Sequence, residues 1–447
     1  MFCSRHILTQ AVLFERAPFT AAEIAQQQQH IRVQQQAFAA LSVSERAAGL
    51  LVLAQRLEEN KAALAQQICL EVGRCLRECE AELDKSVALI RYYAKLAPEL
   101  LAHKTIATQA SLSQVRFEPL GVVLAVMPWN YPVWQILRFA IPALCAGNAC
   151  LVKPAPSVAG VTQALFELVD ETLPFQAAWI ADADIETAMA QTQALAFTGS
   201  TDTGRHLAAL AGKHLKKCVL ELGGSNALVV LADADIEQAA QEACYSRFRD
   251  AGQSCNAAKR LIVVDAVADA FIAALLKHSR RLQMGAPWLP ETTLAPLHRA
   301  DLRARVHAQV ADALAHGADC LLGGSLPAGD GFFYPATVLD RVNADCRVYH
   351  EEVFGPVASV LRARDAEHAV ALANDNPFGL GASIYSGNTE AAWQLATQLD
   401  TGSVFINRHT SSDLRLPFGG VKASGFGREL SEFGLYEFVN VKTYWQK

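Results

Sequence analysis

Cys255 is preceded by Gly252-Gln-Ser and followed by Asn256, whereas Cys145, Cys150, Cys218 and Cys244 sit in apolar runs. Free cysteines ordinarily serve as small buried hydrophobes, so the polar, flexible approach to Cys255 suits an accessible thiol. A thiolate attacks an aldehyde carbonyl to give a tetrahedral adduct, and the oxyanion of that adduct needs fixed donors. Asn130, in Met127-Pro-Trp-Asn-Tyr-Pro132, offers a side-chain amide just after an apolar run, and the Cys255 N–H offers a second donor. Asn130 reads equally as a turn residue closing that run. Glu221 follows Cys218–Leu220 and precedes Gly223-Gly224 by one residue, so the backbone there can turn tightly towards a ligand. A carboxylate in partly apolar surroundings suits a base that activates water; a strand or helix cap is its plainer reading.

The elements that must position these residues are legible in the hydrophobic pattern. From about Val115, short β-rich runs (Val122–Val126, Ala149–Val152, Leu195–Phe197, Cys218–Leu220, Ala227–Leu231, Leu261–Val264) alternate with helix-length segments such as Val133–Ala146 and Ile236–Phe248. Near-continuously apolar strands separated by helices predict a parallel sheet covered on both faces. The chain therefore reads as α/β, in two units that join near Gly223-Gly224. Upstream, Thr20-Ala-Ala-Glu23 and Ser42-Val-Ser-Glu45 have capping-box form and each opens a helix. Ile24, Ile31 and Phe38 repeat every seven residues through the Gln-rich stretch, which makes it an ordinary surface helix and not a low-complexity tail.

Composition sets the bounds. A chain of 447 residues with 51% hydrophobic and 19% charged residues is globular and long enough for two or three domains. The net charge of −6 is spread without a basic block, so nothing favours nucleic acid as a partner. The apolar cluster near the N-terminus is broken by Glu15 and Arg16, which does not suit a secretory signal. No apolar run approaches the ~20 residues of a membrane span. Eleven scattered cysteines are expected to be reduced thiols. Cys75 and Cys79, one helical turn apart, have no further Cys or His beside them, and no metal is expected. These features predict a soluble, cytoplasmic protein without membrane contact.

Taken in order, the Asn130 and Cys255 segments, Lys153-Pro-Ala-Pro-Ser157, Phe197-Thr-Gly-Ser200, Glu221-Leu-Gly-Gly224, Glu351-Glu-Val-Phe-Gly-Pro356 and Pro417-Phe-Gly-Gly-Val-Lys-Ala-Ser-Gly425 resemble the aldehyde dehydrogenase superfamily. The resemblance runs from about Leu41 to the C-terminus. It implies that Cys255 is the nucleophile, Asn130 the oxyanion donor and Glu221 the general base, and the spacing of Glu221 and Cys255 is that of the family. It also implies a nicotinamide cofactor, NAD or NADP, although no G-x-G-x-x-G fingerprint follows a strand. Gly199-Ser-Thr-Asp-Thr-Gly204 opens a helix whose first amides can hold a pyrophosphate. In the family, residues matching Ser200, Lys153 and Glu352 hold the pyrophosphate, the adenosine ribose and the nicotinamide ribose, and Phe354 packs beside the last. Trp129, Ser157, Gly199, Leu222 and Gly223 are expected to complete the cofactor surface. Pro156 stands where many NAD-preferring members carry Glu, which removes a carboxylate that would repel a 2′-phosphate, and Ser157 can hydrogen-bond one. The choice of cofactor stays open.

Arg138 and Arg249 match arginines that bind the substrate carboxylate in the short bacterial succinate-semialdehyde dehydrogenases, and Ser412 matches a third, hydroxyl contact. The expected reaction is oxidation of succinate semialdehyde to succinate, with a broad-specificity aldehyde dehydrogenase as the alternative. A cysteine hydrolase, with His214 as the nearest histidine upstream of Glu221, and a non-catalytic protein on this fold are the readings from other classes. The family architecture divides the chain into a Rossmann-like cofactor domain (1–104 and 121–222), a catalytic domain (223–414) and a small β oligomerisation element (105–120 and 435–447), joined as a homodimer or homotetramer. Three departures stand out. The first forty residues lack the usual Asn-Pro and Gly turn, leaving Met1–Phe19 unassigned; the stretch Leu173–Thr192 is shortened beside the adenine pocket; and Ala257, not a second cysteine, follows the nucleophile by two.

Overall fold

The computed structural model describes residues 1–447. The chain opens with an antiparallel hairpin, β1 (Phe2–Arg5) and β2 (Val12–Arg16), so the unassigned N-terminus has a definite structure. Its turn is built without the usual residues. The His6 ring Nδ1 accepts from the backbone N–H of Leu8 and Thr9 (3.2 Å each), and Gln10 takes the positive φ, 60°, that glycine ordinarily supplies.

Both capping boxes form. Thr20 and Ser42 each exchange hydrogen bonds with the Glu three residues on, opening α1 (Ala21–Ala39) and α2 (Val43–Glu59), which lead into α3 (Lys61–Val72) and α4 (Leu76–Leu100). On α1, Ile24, Ile31 and Phe38 are buried, and so are Gln28 and Gln35 between them. Those two amides donate to the carbonyls of Ala188 (2.8 Å) and Gly147 (3.0 Å), which satisfies polar groups that would otherwise be costly inside. The Gln-rich helix thus packs through glutamines as well as through its apolar stripe.

After α4 come β3 (Lys104–Thr105) and β4 (Leu112–Pro119), followed by the first α/β unit: β5 (Val122–Val126), α5 (Trp134–Cys145), β6 (Ala149–Lys153), α6 (Ala159–Glu167), β7 (Phe175–Ala177), α7 (Ile185–Ala190), β8 (Ala194–Thr198), α8 (Thr201–Lys213) and β9 (Lys217–Glu221). The strands are parallel in the order β7-β6-β5-β8-β9, and Gly425–Phe426 adds antiparallel to β9. Val123 and Ala125 of β5 pack into the core shared with α2 to α5, while Val122, Leu124 and Val126 pack with α1 and α8. Both faces are covered, which is why the strand is apolar throughout.

The chain changes sheets between Glu221 and Asn226. β10 (Asn226–Val230) and, after α9 (Ile236–Phe248), β11 (Ala258–Val264) lie in a seven-stranded sheet. Its spatial order is Asp319–Leu322, Thr337–Asp340, Val357–Ala363, β11, β10, Ala382–Tyr385, Val404–Ile406, and only the first pair is antiparallel. A third sheet pairs β4 with β3 and, without a bulge, with the final strand Val439–Gln446. No helix is long and apolar enough to cross a membrane.

The two divergent stretches meet in space. Trp179, inside the shortened segment, is buried against Phe2 of the hairpin at 5.1 Å between ring centroids, and the Arg16 guanidinium lies 5.0 Å from its indole. Packed rings and a cation over their face hold the shortened wall in place.

Candidate active site

Cys255 sits on a loop with unusual backbone. Beyond α9, Asp250, Ala251 and Gly252 have φ of 54°, 52° and 72°, a region that costs non-glycine residues energy unless the surroundings enforce it. The enforcement is ionic. The Asp250 carboxylate accepts from Arg74 Nε (2.6 Å) and from the Tyr131 hydroxyl, and its N–H donates to Glu78 Oε1 (3.1 Å). Arg74 also pairs with Glu82, whose Oε1 accepts from the N–H groups of Val133 (2.9 Å) and Trp134 (2.8 Å) as α5 begins. One buried network therefore joins α4, the Asn130–Trp134 turn and the cysteine loop. None of Arg74, Glu78, Glu82 or Asp250 had a motif to single it out, because their partners are remote in sequence.

A cavity of about 460 Å³ opens beside Cys255, and Lys85, Trp134, Arg138, Arg249, Ser412 and Phe418 are among its lining residues. The structure thus brings Cys255 together with the three residues matched to a substrate carboxylate. Arg138 is buried and its Nη2 lies 2.5 Å from Glu429 Oε2, yet neither Nε nor Nη2 makes an aligned hydrogen bond. Arg249 is half-exposed, with Nε 3.1 Å from Asp250. Ser412 accepts a hydrogen bond from Lys85 Nζ, a residue the sequence pattern did not flag. Burial pushes the Cys255 thiol up to about 11, against the pull of Arg138 and Lys259.

Asn130 and Glu221 do not line this cavity. The Asn130 amide donates to the Gln253 carbonyl (3.0 Å), two residues before Cys255, so it is tied to the cysteine loop. Glu221 is buried beside Gly419, where an added Cβ would come within 2.8 Å of its carboxyl oxygen. Neither carboxyl oxygen has a hydrogen-bond partner. Burial, and then the neighbouring Glu429, hold this carboxyl well above the usual range, opposed by Arg138 and Arg428. His214 pairs with Glu186 (3.1 Å) and does not line the cavity.

The carboxyl ends of the first sheet carry most of the residues matched to a cofactor, and Glu352 and Phe354 reach them from the loop before Val357–Ala363 of the second sheet. Ser200 caps α8 and is exposed, so the amides of a 13-residue helix face outward beside Gly199. A Cβ at Gly223 would come 2.7 Å from Glu352 and 3.2 Å from Thr201, so the glycine lets three segments converge at that helix end. Leu222 packs against Gly204 of α8. Glu352 accepts from Lys259 Nζ (2.8 Å) and the Gly224 N–H (3.1 Å). Lys153, buried at the end of β6, reaches Asp182 (2.8 Å) on the shortened segment. Ser157 is hydrogen-bonded to His298 Nε2 (2.8 Å). His298 stacks on Trp129 (4.2 Å between centroids, 10° between planes), and Trp129 meets Phe354 edge-on at 5.8 Å. An exposed helix N-terminus, a buried lysine and a carboxylate along one sheet edge fit a dinucleotide. Asp182, Lys259 and His298 lie outside any recognisable motif.

The fold and this site define a class. The pattern of the aldehyde dehydrogenase family matches residues 4–444, and the chain belongs to that family. It is 43% identical over 411 residues to the succinate semialdehyde dehydrogenase, NAD(P)+, of Escherichia coli K12, covering 91% of this chain and 89% of the relative. It is also 43% identical over 406 residues to the succinate-semialdehyde dehydrogenase, NADP+, of Deinococcus radiodurans, covering 90% of this chain and 85% of the relative. Among solved structures, succinic semialdehyde dehydrogenase from Streptococcus pyogenes in complex with NADP+ superposes with a TM-score of 0.96 at 33% identity, covering 100% of this chain and 99% of that one. The α/β fold and the family resemblance read from the sequence are both borne out. The match begins at residue 4 and not near Leu41, so it takes in the N-terminal hairpin.

Proposed function

We propose that the chain oxidises succinate semialdehyde to succinate with NAD+ or NADP+ as the acceptor. The observation that carries this reading is the cationic cavity at Cys255, where Arg138, Arg249 and Lys85 converge. A cavity lined by one buried and two part-buried cations favours an aldehyde that carries an acid over an uncharged one. The names of the Escherichia and Deinococcus relatives point the same way.

In the proposed reaction, the Cys255 thiolate adds to the aldehyde carbon and the carbonyl oxygen becomes an oxyanion. The Asn130 amide and the Cys255 N–H donate to that oxygen. An oxidised nicotinamide held at the cofactor residues would supply the hydride acceptor that converts this adduct to a thioester on Cys255. Glu221 then removes a proton from water, which attacks the thioester carbon to release the carboxylate and the thiol. On the cofactor side, Gly199 and Ser200 at the end of α8, with Leu222 and Gly223, would hold the pyrophosphate. Lys153 and Ser157 would hold the adenosine end, and Trp129, Glu352 and Phe354 the nicotinamide end.

The division into a cofactor part (1–104 and 121–222), a catalytic part (223–414) and a subunit-joining β element (105–120 and 435–447) is supported by the three separate sheets. Val441 and Trp445 on the last strand are exposed apolar residues, which suits a homodimer or homotetramer built through that edge. A cytoplasmic location agrees with the reduced state of its eleven free cysteines.

The test is steady-state oxidation of succinate semialdehyde and butanal, followed at the absorbance of the reduced cofactor with NAD+ and NADP+ in parallel. The reading expects a higher kcat/KM for the semialdehyde; equal values for both aldehydes would favour a broad-specificity enzyme instead.

A further inference from the structure

The carboxylate-matching arginines of the cavity are already engaged with acids. Arg138 faces Glu429 and Arg249 faces Asp250, so each enters the cavity with an acid at its side, although Arg74 shares Asp250 and two nitrogens of Arg138 stay without a hydrogen-bond partner. Lys85 differs. α4 places it in the same cavity, its Nζ donates to Ser412 and lies 4.2 Å from the centroid of the Trp134 ring, and no carboxylate oxygen comes within 4.0 Å of it. A half-buried ammonium with only a hydroxyl and an aromatic face for company lacks a counter-anion.

We propose that Lys85 is a further anchor for the substrate's carboxylate beside Arg138 and Arg249, and that Ser412 acts by orienting the Lys85 ammonium. Arg138, with nitrogens that have no hydrogen-bond partner, and Arg249 line the same cavity, so the carboxylate meets three cations and Lys85 is the one without an acid beside it. The inference rests on the reading of the substrate as an aldehyde with a carboxylate tail. It adds a charge from α4, outside the motifs that carry the family's chemistry.

A second consequence concerns protons. Burial, followed by the cations Arg138 on α5 and Arg249 on the cysteine loop, brings Lys85 down to about 7, opposed by Cys255 and by Glu82 on its own helix. Arg408, His409, Tyr245 and Asp250 also border the cavity. The empty site therefore loses charge as the pH rises through neutrality, and a bound carboxylate draws the proton back. KM for the acid-bearing aldehyde should climb above about pH 7, while KM for butanal should not follow it. The ratio of the two KM values cancels the titration of Cys255, which both substrates share.

The experiment compares the full-length wild type with K85M and K85R on succinate semialdehyde and butanal between pH 6 and 9, as ~pH limits that bracket neutrality. Loss of a charge-assisted contact predicts a KM for the semialdehyde raised roughly 10- to 100-fold in K85M, with less than about a threefold change for butanal. K85R, which stays protonated, should keep the preference and flatten the pH dependence of the KM ratio. Equal KM changes for both aldehydes in K85M, or an unchanged ratio, would overturn the assignment of Lys85. If wild-type protein shows no preference for the semialdehyde, the substrate reading itself fails, and the two failures are told apart by that control.

Discussion

At the scale of single residues, the proposed chemistry turns on two groups whose protons are held tightly. The Cys255 thiol sits near 11 and the Glu221 carboxyl well above the carboxylate range, both chiefly because they are buried. A nucleophile and a base are active only without their protons, so the rate of the empty-site arrangement should rise with pH over the neutral and mildly alkaline range. A kcat/KM for butanal that is flat from neutrality upward would show that binding of the cofactor, and not titration, activates the cysteine. Glu221→Gln separates the two half-reactions. It should release a first turnover of reduced cofactor at close to the wild-type rate and then slow by roughly 10²- to 10⁴-fold, the usual scale for losing a general base; rapid mixing reads both phases. These residues were legible in the sequence because each sits in a motif of distinctive neighbours. Lys85 was not, since a lone lysine on a long polar-faced helix looks like solvated charge until α4 is seen to border the cavity.

At the scale of elements, the loop carrying Cys255 depends on ion pairs more than on local preference. Asp250 and Ala251 hold positive φ because Arg74, Tyr131 and Glu78 fix the Asp250 carboxylate and N–H. Arg74→Met would leave Glu82 buried without its cation and Asp250 with Arg249 alone, at a cost of about 3–5 kcal/mol. Urea unfolding should show that loss, and thiol labelling should find Cys255 reacting at an altered rate while the buried cysteines stay protected. An unchanged midpoint would mean that the network contributes little to the loop. By contrast, Ser42→Ala removes only a cap and should cost about 1 kcal/mol. The helices and parallel strands were readable because capping boxes and apolar runs are local signals. The N-terminal hairpin was not, because His6 and Gln10 do with a ring nitrogen and a positive φ what Asn-Pro and glycine usually do.

At the scale of the whole molecule, the proposed division of labour follows the sheets: one presents the dinucleotide-fitting edge, the other carries the strand that follows Cys255. The third leaves Val441 and Trp445 exposed on a strand paired along one side. In the proposed oligomer, Trp445→Glu should weaken subunit association, and sedimentation velocity should show a smaller species than the wild type. The same size for both proteins would place the subunit contact elsewhere. Cofactor preference was not legible in the sequence, because Pro156 removes one acid while Asp182, far along the chain, returns a carboxylate to Lys153.

The central claim is that Cys255 carries the substrate as a thioester, and trapping that species tests it most directly. Glu221→Gln protein, mixed with succinate semialdehyde and oxidised cofactor and then quenched in acid, should carry one succinyl group. Peptide mass spectrometry should locate it on Cys255, and it should be absent when cofactor is omitted. A succinyl group on another cysteine, or none despite a burst of reduced cofactor, would contradict the account.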